Sequence, residues 1–249
     1  MTVIVGVQCS DGIVIGADSM ATSTAGPSPL MHVQSNDKIE IFDKSVIVAS
    51  TGAIGLSQRL NHHISQAIAG NVFRNFSVQD CTTNVSKRFL TDLTNSLYQM
   101  HPQHGVSFGS VMAACLKGVP YLIEFGSTNF QPEIRHGKMF FVSMGSGQLH
   151  ADPFLAFIAR VLWHGVPPTV KDGKLGVYWT LSHTITVAPG GVGKPIRMAT
   201  LTQKDGKWVA EESQDMDAHE TYTADLENYI GKYAREGHAV SDPIPPAPI

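Results

Sequence analysis

The chain has 249 residues, 43% of them hydrophobic and 16% charged, with a formal net charge of −3. That supplies enough apolar material for a sizeable core, and the weak negative balance gives no global field toward nucleic acid or an anionic membrane. No basic stripe, no cluster of stacking aromatics and no apolar run near the roughly 20 residues of a membrane span occurs, so neither nucleic-acid binding nor a membrane anchor is expected.

The opening MTVIVGVQCSDGIVIG is apolar but lacks a basic leading segment and is broken by Asp11-Gly12, so it reads as paired strands and not as a signal peptide. Residues 3–8 and 13–17 flank the turn Ser10-Asp11-Gly12, where Asp and Gly tolerate the positive φ of a tight hairpin. The stretch 22–36 is polar and contains Gly26, Pro27 and Pro29, which predicts a loop. A second hairpin is predicted from 38–42 and 46–50 around Asp43-Lys44.

Two helices follow. Residues 55–69 set Leu56, Leu60, Ile64 and Ile68 on one face, and 78–100 do the same with Val85, Phe89, Leu93 and Leu97, with Ser77 as N-cap. Strands are predicted over 108–116, 120–126 and 138–144, with turns at Lys117-Gly118 and Arg135-His136-Gly137. Asp152 opens a helix through Trp163, a weaker one covers 170–184, and strands 196–202 and 207–210 meet at Asp205-Gly206. This order, strands and helix pairs in alternation, fits an α+β architecture in which helices cover two stacked antiparallel sheets. We take 1–210 as one domain and 211–249 as an appendix: a charged helix over 218–234 and the Pro-rich tail SDPIPPAPI.

Cys9, Cys81 and Cys115 are isolated and odd in number, which reads as reduced thiols of a cytoplasmic protein. The run from Ala188 to Pro195 has the glycines of a phosphate loop, but Pro195 stands where its hydroxyl belongs. His62, His63, His101 and His104 show no metal-ligand spacing, and no GxSxG elbow occurs.

Taken singly, a threonine after the initiator methionine is commonplace, Asp18 and Lys38 make an ordinary strand-edge ion pair, and Gly52 and Ser146 are turn residues. Taken together they are more informative. Thr2-Val3-Ile4-Val5-Gly6-Val7 with Asp11-Gly12-Ile13-Val14-Ile15-Gly16-Ala17-Asp18-Ser19, then Lys38, Gly52 and Gly145-Ser146-Gly147-Gln148, resemble the proteasome β-subunit family of N-terminal-nucleophile hydrolases, including the bacterial proteasome-like peptidases. The resemblance spans about 2–210.

It implies a four-layer α-β-β-α sandwich and a threonine endopeptidase in which Met1 is removed and Thr2 attacks the peptide bond. Its free α-amine would serve as base, which suits a hydroxyl that is a poor nucleophile unaided. Asp18 would hold the Lys38 ammonium, the Gly52 N–H would face the oxyanion, and Ser146 would orient the amine. Ala21 and Thr22 would pair with substrate backbone as an added strand. Asn36, Glu40, Ser50 and Ile54 would line the first specificity pocket.

The resemblance also implies self-assembly into a ring or stacked rings, peptide or unfolded-protein substrates and no cofactor, and it leaves room for an ATP-driven unfoldase. The chain departs from the family at Thr186 and Pro189, where a supporting Asp and Ser are usual, and at Met20, where a basic residue is common. Those departures keep two alternatives open: a non-catalytic ring subunit of the same fold, and an amidase acting on short peptides or non-peptide amides.

Overall fold

The structure, a computed structural model, describes residues 2–24, 31–35, 37–97, 108–188 and 190–236. In chain order these form β1 (Ile4–Gln8), β2 (Gly12–Asp18), β3 (Met20–Thr24), β4 (Met31–Ser35), β5 (Ile39–Phe42) and β6 (Val46–Thr51). Helices α1 (Ile54–Ala69), α2 (Val72–Asn75) and α3 (Val78–Leu97) follow, then strands β7 (Gly109–Leu116), β8 (Val119–Phe125), β9 (Pro132–Arg135) and β10 (Phe141–Met144). The last elements are α4 (Gln148–Val161), α5 (Val170–Val187), β11 (Ile196–Lys204), β12 (Lys207–Glu212) and α6 (Met216–Glu236).

Two antiparallel sheets of five strands stack face to face, one in the order β10-β1-β2-β11-β12 and the other β5-β6-β7-β8-β9. Their side-chain patterns show why both faces are covered. Val3, just ahead of β1, and Val5 and Val7 within it point to a core shared with α4 and α5, while Ile4 points to the core between the sheets. In β2, Val14 faces the helices, and Ile13 and Ile15 face the second sheet. Such strands are apolar on both faces up to their last residues, Gln8 and Asp18, because each face meets a partner. Gly16 lets α5 lie close on β2: a Cβ there would fall 2.5 Å from Val177 and 2.7 Å from Leu181. On the far side, α1 and α3 seal the second sheet with Leu60, Ile64, Val85 and Phe89 packed on Val48 and Met112. The predicted α+β four-layer sandwich is therefore the observed fold.

Ser77 caps α3 as predicted: its hydroxyl accepts the Asp80 N–H at 3.2 Å. Four features depart from the sequence reading. Within the predicted loop 22–36, β3 and β4 pair as a hairpin, with Ala21 opposite Gln34 and Thr22 opposite Val33, because backbone pairing does not need apolar side chains. The one-turn α2 and the edge strand β9 carry no periodicity long enough to read, and β9 begins at a proline, which an edge tolerates. Helix α4 starts at Gln148, ahead of Asp152, and carries Pro153 in its second turn. His101, His104, Asn36, Pro189 and the Pro-rich tail lie outside the described residues. Among the described residues no helix is long and apolar enough to cross a membrane.

Candidate active site

The site forms where β1 begins, between β10 and β2. Thr2 is 7% exposed and its main chain is gripped by the turn that follows β10. Its nitrogen donates to Ser146 Oγ at 3.1 Å, and its carbonyl accepts the Gly147 N–H at 3.1 Å. Gly145 makes that approach possible. It sits at φ 100°, and a Cβ on it would lie 2.2 Å from the Thr2 carbonyl oxygen. The substitution Gly145→Ala therefore combines left-handed strain with a backbone clash, and it is expected to cost about 2–4 kcal/mol in thermal or denaturant unfolding. Gly55→Ala on α1, where a Cβ meets open space, is the control and should be neutral or stabilising by up to about 1 kcal/mol.

Beneath Thr2 lies Asp18, 1% exposed at the end of β2, and every bond a carboxylate of this kind needs is made. Oδ1 accepts the Val3 N–H at 2.9 Å and the Lys38 ammonium at 2.6 Å. Oδ2 accepts the N–H groups of Met20 at 3.2 Å and Gly193 at 3.1 Å. Lys38, at the entry to β5, has a side chain 5% exposed. Burial pushes its pKa below the ordinary 10.5, and the charge and hydrogen bond of Asp18 oppose that shift. The bond to Asp18 anchors the ammonium at the cavity wall.

Thr2 and Lys38 open onto a cavity of about 550 Å3 that is also lined by Ala21, Glu40, Ser50, Gly52, Ile54 and Ser146. Gly52 follows β6 at φ 109°, which bends the chain off the strand and sets its backbone on the wall. Ser50 bonds Ser110 Oγ at 3.3 Å, and Ile54 is 51% exposed at the start of α1. Ala21 belongs to β3, which among the described residues is paired on one side only, to β4, leaving an edge beside the cavity.

So Thr2, Lys38, Gly52, Ser146, Ala21, Ser50 and Ile54 share one cavity, and Asp18 supports it from behind. Thr22 pairs with Val33 in the same hairpin. Thr186 is elsewhere: it is exposed on α5 and its hydroxyl is spent on the Ser182 carbonyl at 2.9 Å. Behind the ion pair stands the Gly193 N–H, which donates to Asp18 Oδ2. The sequence offered Gly193 only as part of a false phosphate loop, and no signal short of the fold shows which way a backbone N–H points. Cysteine chemistry has no foothold here, because burial raises the Cys9 thiol far above its usual range and lifts Cys81 to about 12. Among the described residues no group of three His, Cys, Asp or Glu side chains could hold a metal.

No protein-family model matches the chain, and no curated protein sequence does. Solved structures do. An Anbu (Gly-1) mutant from Hyphomicrobium sp. strain MC1 aligns with a TM-score of 0.73 at 12% identity, over 98% of this chain and all 100% of that one. The helical assembly of the Anbu complex from Pseudomonas aeruginosa gives 0.72 at 16% identity, covering 98% of each chain. Anbu (ancestral beta-subunit) from Yersinia bercovieri gives 0.72 at 11% identity, over 96% of this chain and 100% of that one. At these identities the likeness is one of fold. It corrects the resemblance drawn from the sequence, which pointed to the proteasome β-subunit family with its bacterial proteasome-like peptidases: the neighbours are Anbu proteins. The physical reason is that the motifs behind that resemblance, the β1–β2 hairpin and Gly145-Ser146-Gly147, are parts of the sheet framework. They report the fold and do not separate the groups that share it.

Proposed function

We propose that the chain is a subunit of an Anbu-like, proteasome-related assembly in which Thr2, freed by removal of Met1, hydrolyses amide bonds of peptides. The observation that carries this reading is the Thr2 main chain held between Ser146 and Gly147, directly over the buried Lys38–Asp18 pair and at the wall of a cavity.

In this reading Thr2 Oγ1 attacks the substrate carbonyl carbon and its proton passes to the Thr2 α-amine. The carbonyl oxygen gains the negative charge and is met by the Gly52 N–H, a kind of donor typically worth about 10²–10³ in rate. The amine then hands its proton to the leaving nitrogen, the C–N bond breaks, and a threonine ester remains. Water, deprotonated by the same amine, releases the acid and restores Thr2. The edge of β3 at Ala21, which pairs with no second strand among the described residues, would align the substrate backbone as an added strand.

Self-assembly of copies is part of the proposal. The Pseudomonas aeruginosa neighbour is described as a helical assembly, and this chain exposes large apolar residues on and after α4, with Leu149 83% and Phe157 43% exposed. A non-catalytic subunit remains the second reading, favoured by the displaced Thr186.

N-terminal sequencing and intact-mass measurement after exposure to an electrophile that captures N-terminal threonine decide between them. A chain beginning at Thr2 that gains the probe mass supports the enzyme; a chain that begins at Thr2 and stays unlabelled supports the scaffold. The pH dependence is a further check. The α-amine must be neutral to accept a proton, so activity is lost as pH falls through its pKa. With the ordinary range of an α-amine at about 7.7–8.0, the rising limb of kcat/KM should have its midpoint at about 8.

A further inference from the structure

Among the described residues, the cavity beside Thr2 holds one carboxylate that is paired with no cation. Lys38 on its wall is bound by Asp18 at 2.6 Å, and Asp37 is bound by Arg197 at 2.8 Å. Glu40 has no such partner among the described residues. Its carboxylate accepts a hydrogen bond from the side-chain amide of Asn61 at 2.5 Å, which fixes its position and leaves its charge uncompensated. Asn61 is a buried residue of α1, 8% exposed, and its own amide oxygen has no partner among the described residues, so a second acceptor sits beside the carboxylate.

Placement gives this charge a meaning. Lys38 and Glu40 alternate with Ile39, which is turned into the core between the sheets, so both line the cavity. They are spaced about 7 Å apart along an extended chain. A substrate side chain that enters with its carbonyl at Thr2 passes Lys38 and meets Glu40 at about the reach of an extended lysine or arginine. On the way it runs along Ile54 and Phe108, which suit a methylene stem, and past the hydroxyls of Ser50 and Ser57. An acidic side chain would meet like charge in the same place.

On the basis of the nucleophile reading above, we infer that the cavity selects a lysine or arginine side chain on the acyl side of the bond that Thr2 attacks, with Glu40 recognising its positive charge. Loss of solvent raises the Glu40 pKa and the Asn61 bond opposes that rise, so the preference is fullest above that pKa and fades as the carboxylate is protonated.

The test uses the full chain as purified and three peptide epoxyketones alike except for the side chain next to the ketone: arginine, leucine or aspartate. The Thr2 hydroxyl adds to the ketone and the Thr2 amine opens the epoxide, with nothing lost, so the chain gains the whole probe mass. Labelling by the arginine probe is expected to be at least about ten-fold faster than by the leucine probe, with the aspartate probe slowest. In Glu40→Gln the arginine-to-leucine ratio should collapse toward one, and in Glu40→Lys the aspartate probe should overtake the arginine probe. Equal or faster labelling by leucine in the unaltered chain overturns the inference and leaves the nucleophile reading intact. So does an unchanged ratio in Glu40→Gln. Labelling by none of the three overturns the nucleophile reading, and this inference with it.

Discussion

Thr2→Ala is expected to reduce peptide-amide hydrolysis by roughly 10⁴-fold or more, because the bond-forming oxygen is deleted while everything around it is kept. Alanine, like threonine, is a small residue that permits removal of Met1, so the free amine, its Ser146 contact and the Lys38–Asp18 pair all persist. Thr2 is 7% exposed and the change removes only a hydroxyl and a methyl group, so thermal stability should fall by about 1 kcal/mol. Loss of turnover and of covalent labelling together with a cooperative melt shifted by no more than a few degrees would locate the chemistry in the hydroxyl. Thr2→Ser, which restores the oxygen, should recover a measurable part of the rate. If Thr2→Ala were still active at the parental rate, the threonine would not be the nucleophile.

The second large effect concerns the support below it. Asp18→Asn removes the negative charge that four donors share: the N–H groups of Val3, Met20 and Gly193 and the Lys38 ammonium. Asparagine has one acceptor atom for four donors, and its own NH₂ must face N–H groups. The Lys38 ammonium, in a side chain 5% exposed, is left without its counter-charge. Breaking a buried pair from one side typically costs about 3–5 kcal/mol, which for a chain of this size lowers Tm by on the order of 10 °C. Labelling of Thr2 should slow at the same time, since Val3 loses its tie to the carboxylate and the start of β1 loses its anchor. Removing both partners, as in Asp18→Asn with Lys38→Met, should recover part of the stability and none of the activity. Calorimetry alongside labelling kinetics separates the two losses.

What the sequence disclosed and what it withheld follow from how far each interaction reaches along the chain. The β1–β2 hairpin, α1 and α3 are local patterns: Asp11-Gly12 between β-branched runs, Leu60 and Ile64 on one face, Ser77 before Asp80. The two-sided burial of Val3, Ile4, Val5 and Val14 is also written in the sequence, as uninterrupted apolar runs. The β3–β4 hairpin was hidden because polar residues carry no periodic signal, and β9 because it is short and begins at a proline. In the site, no residue type was telling alone; the resemblance of the whole set pointed to Thr2, Asp18, Lys38 and Ser146. The Gly193 N–H under Asp18 could not be read, because a backbone donor is aimed by the fold alone. The isolation of Glu40 was equally invisible, since it depends on Arg197 of β11 having taken Asp37 and on Asn61 of α1 offering an amide and no cation.

The way Gly145 and Gly147 clasp the first residues of the chain has a practical corollary for anyone producing this protein. Thr2 enters the sheet between two paired strands with its carbonyl already claimed and no room for a Cβ across from it. In the proposed reaction the Thr2 amine must be free, so a purification handle fused ahead of it and kept there would block that amine in every copy. On that mechanism affinity tags and fluorescent fusions belong at the carboxyl end, and a preparation that keeps a tag at the other end should fail to be labelled at Thr2.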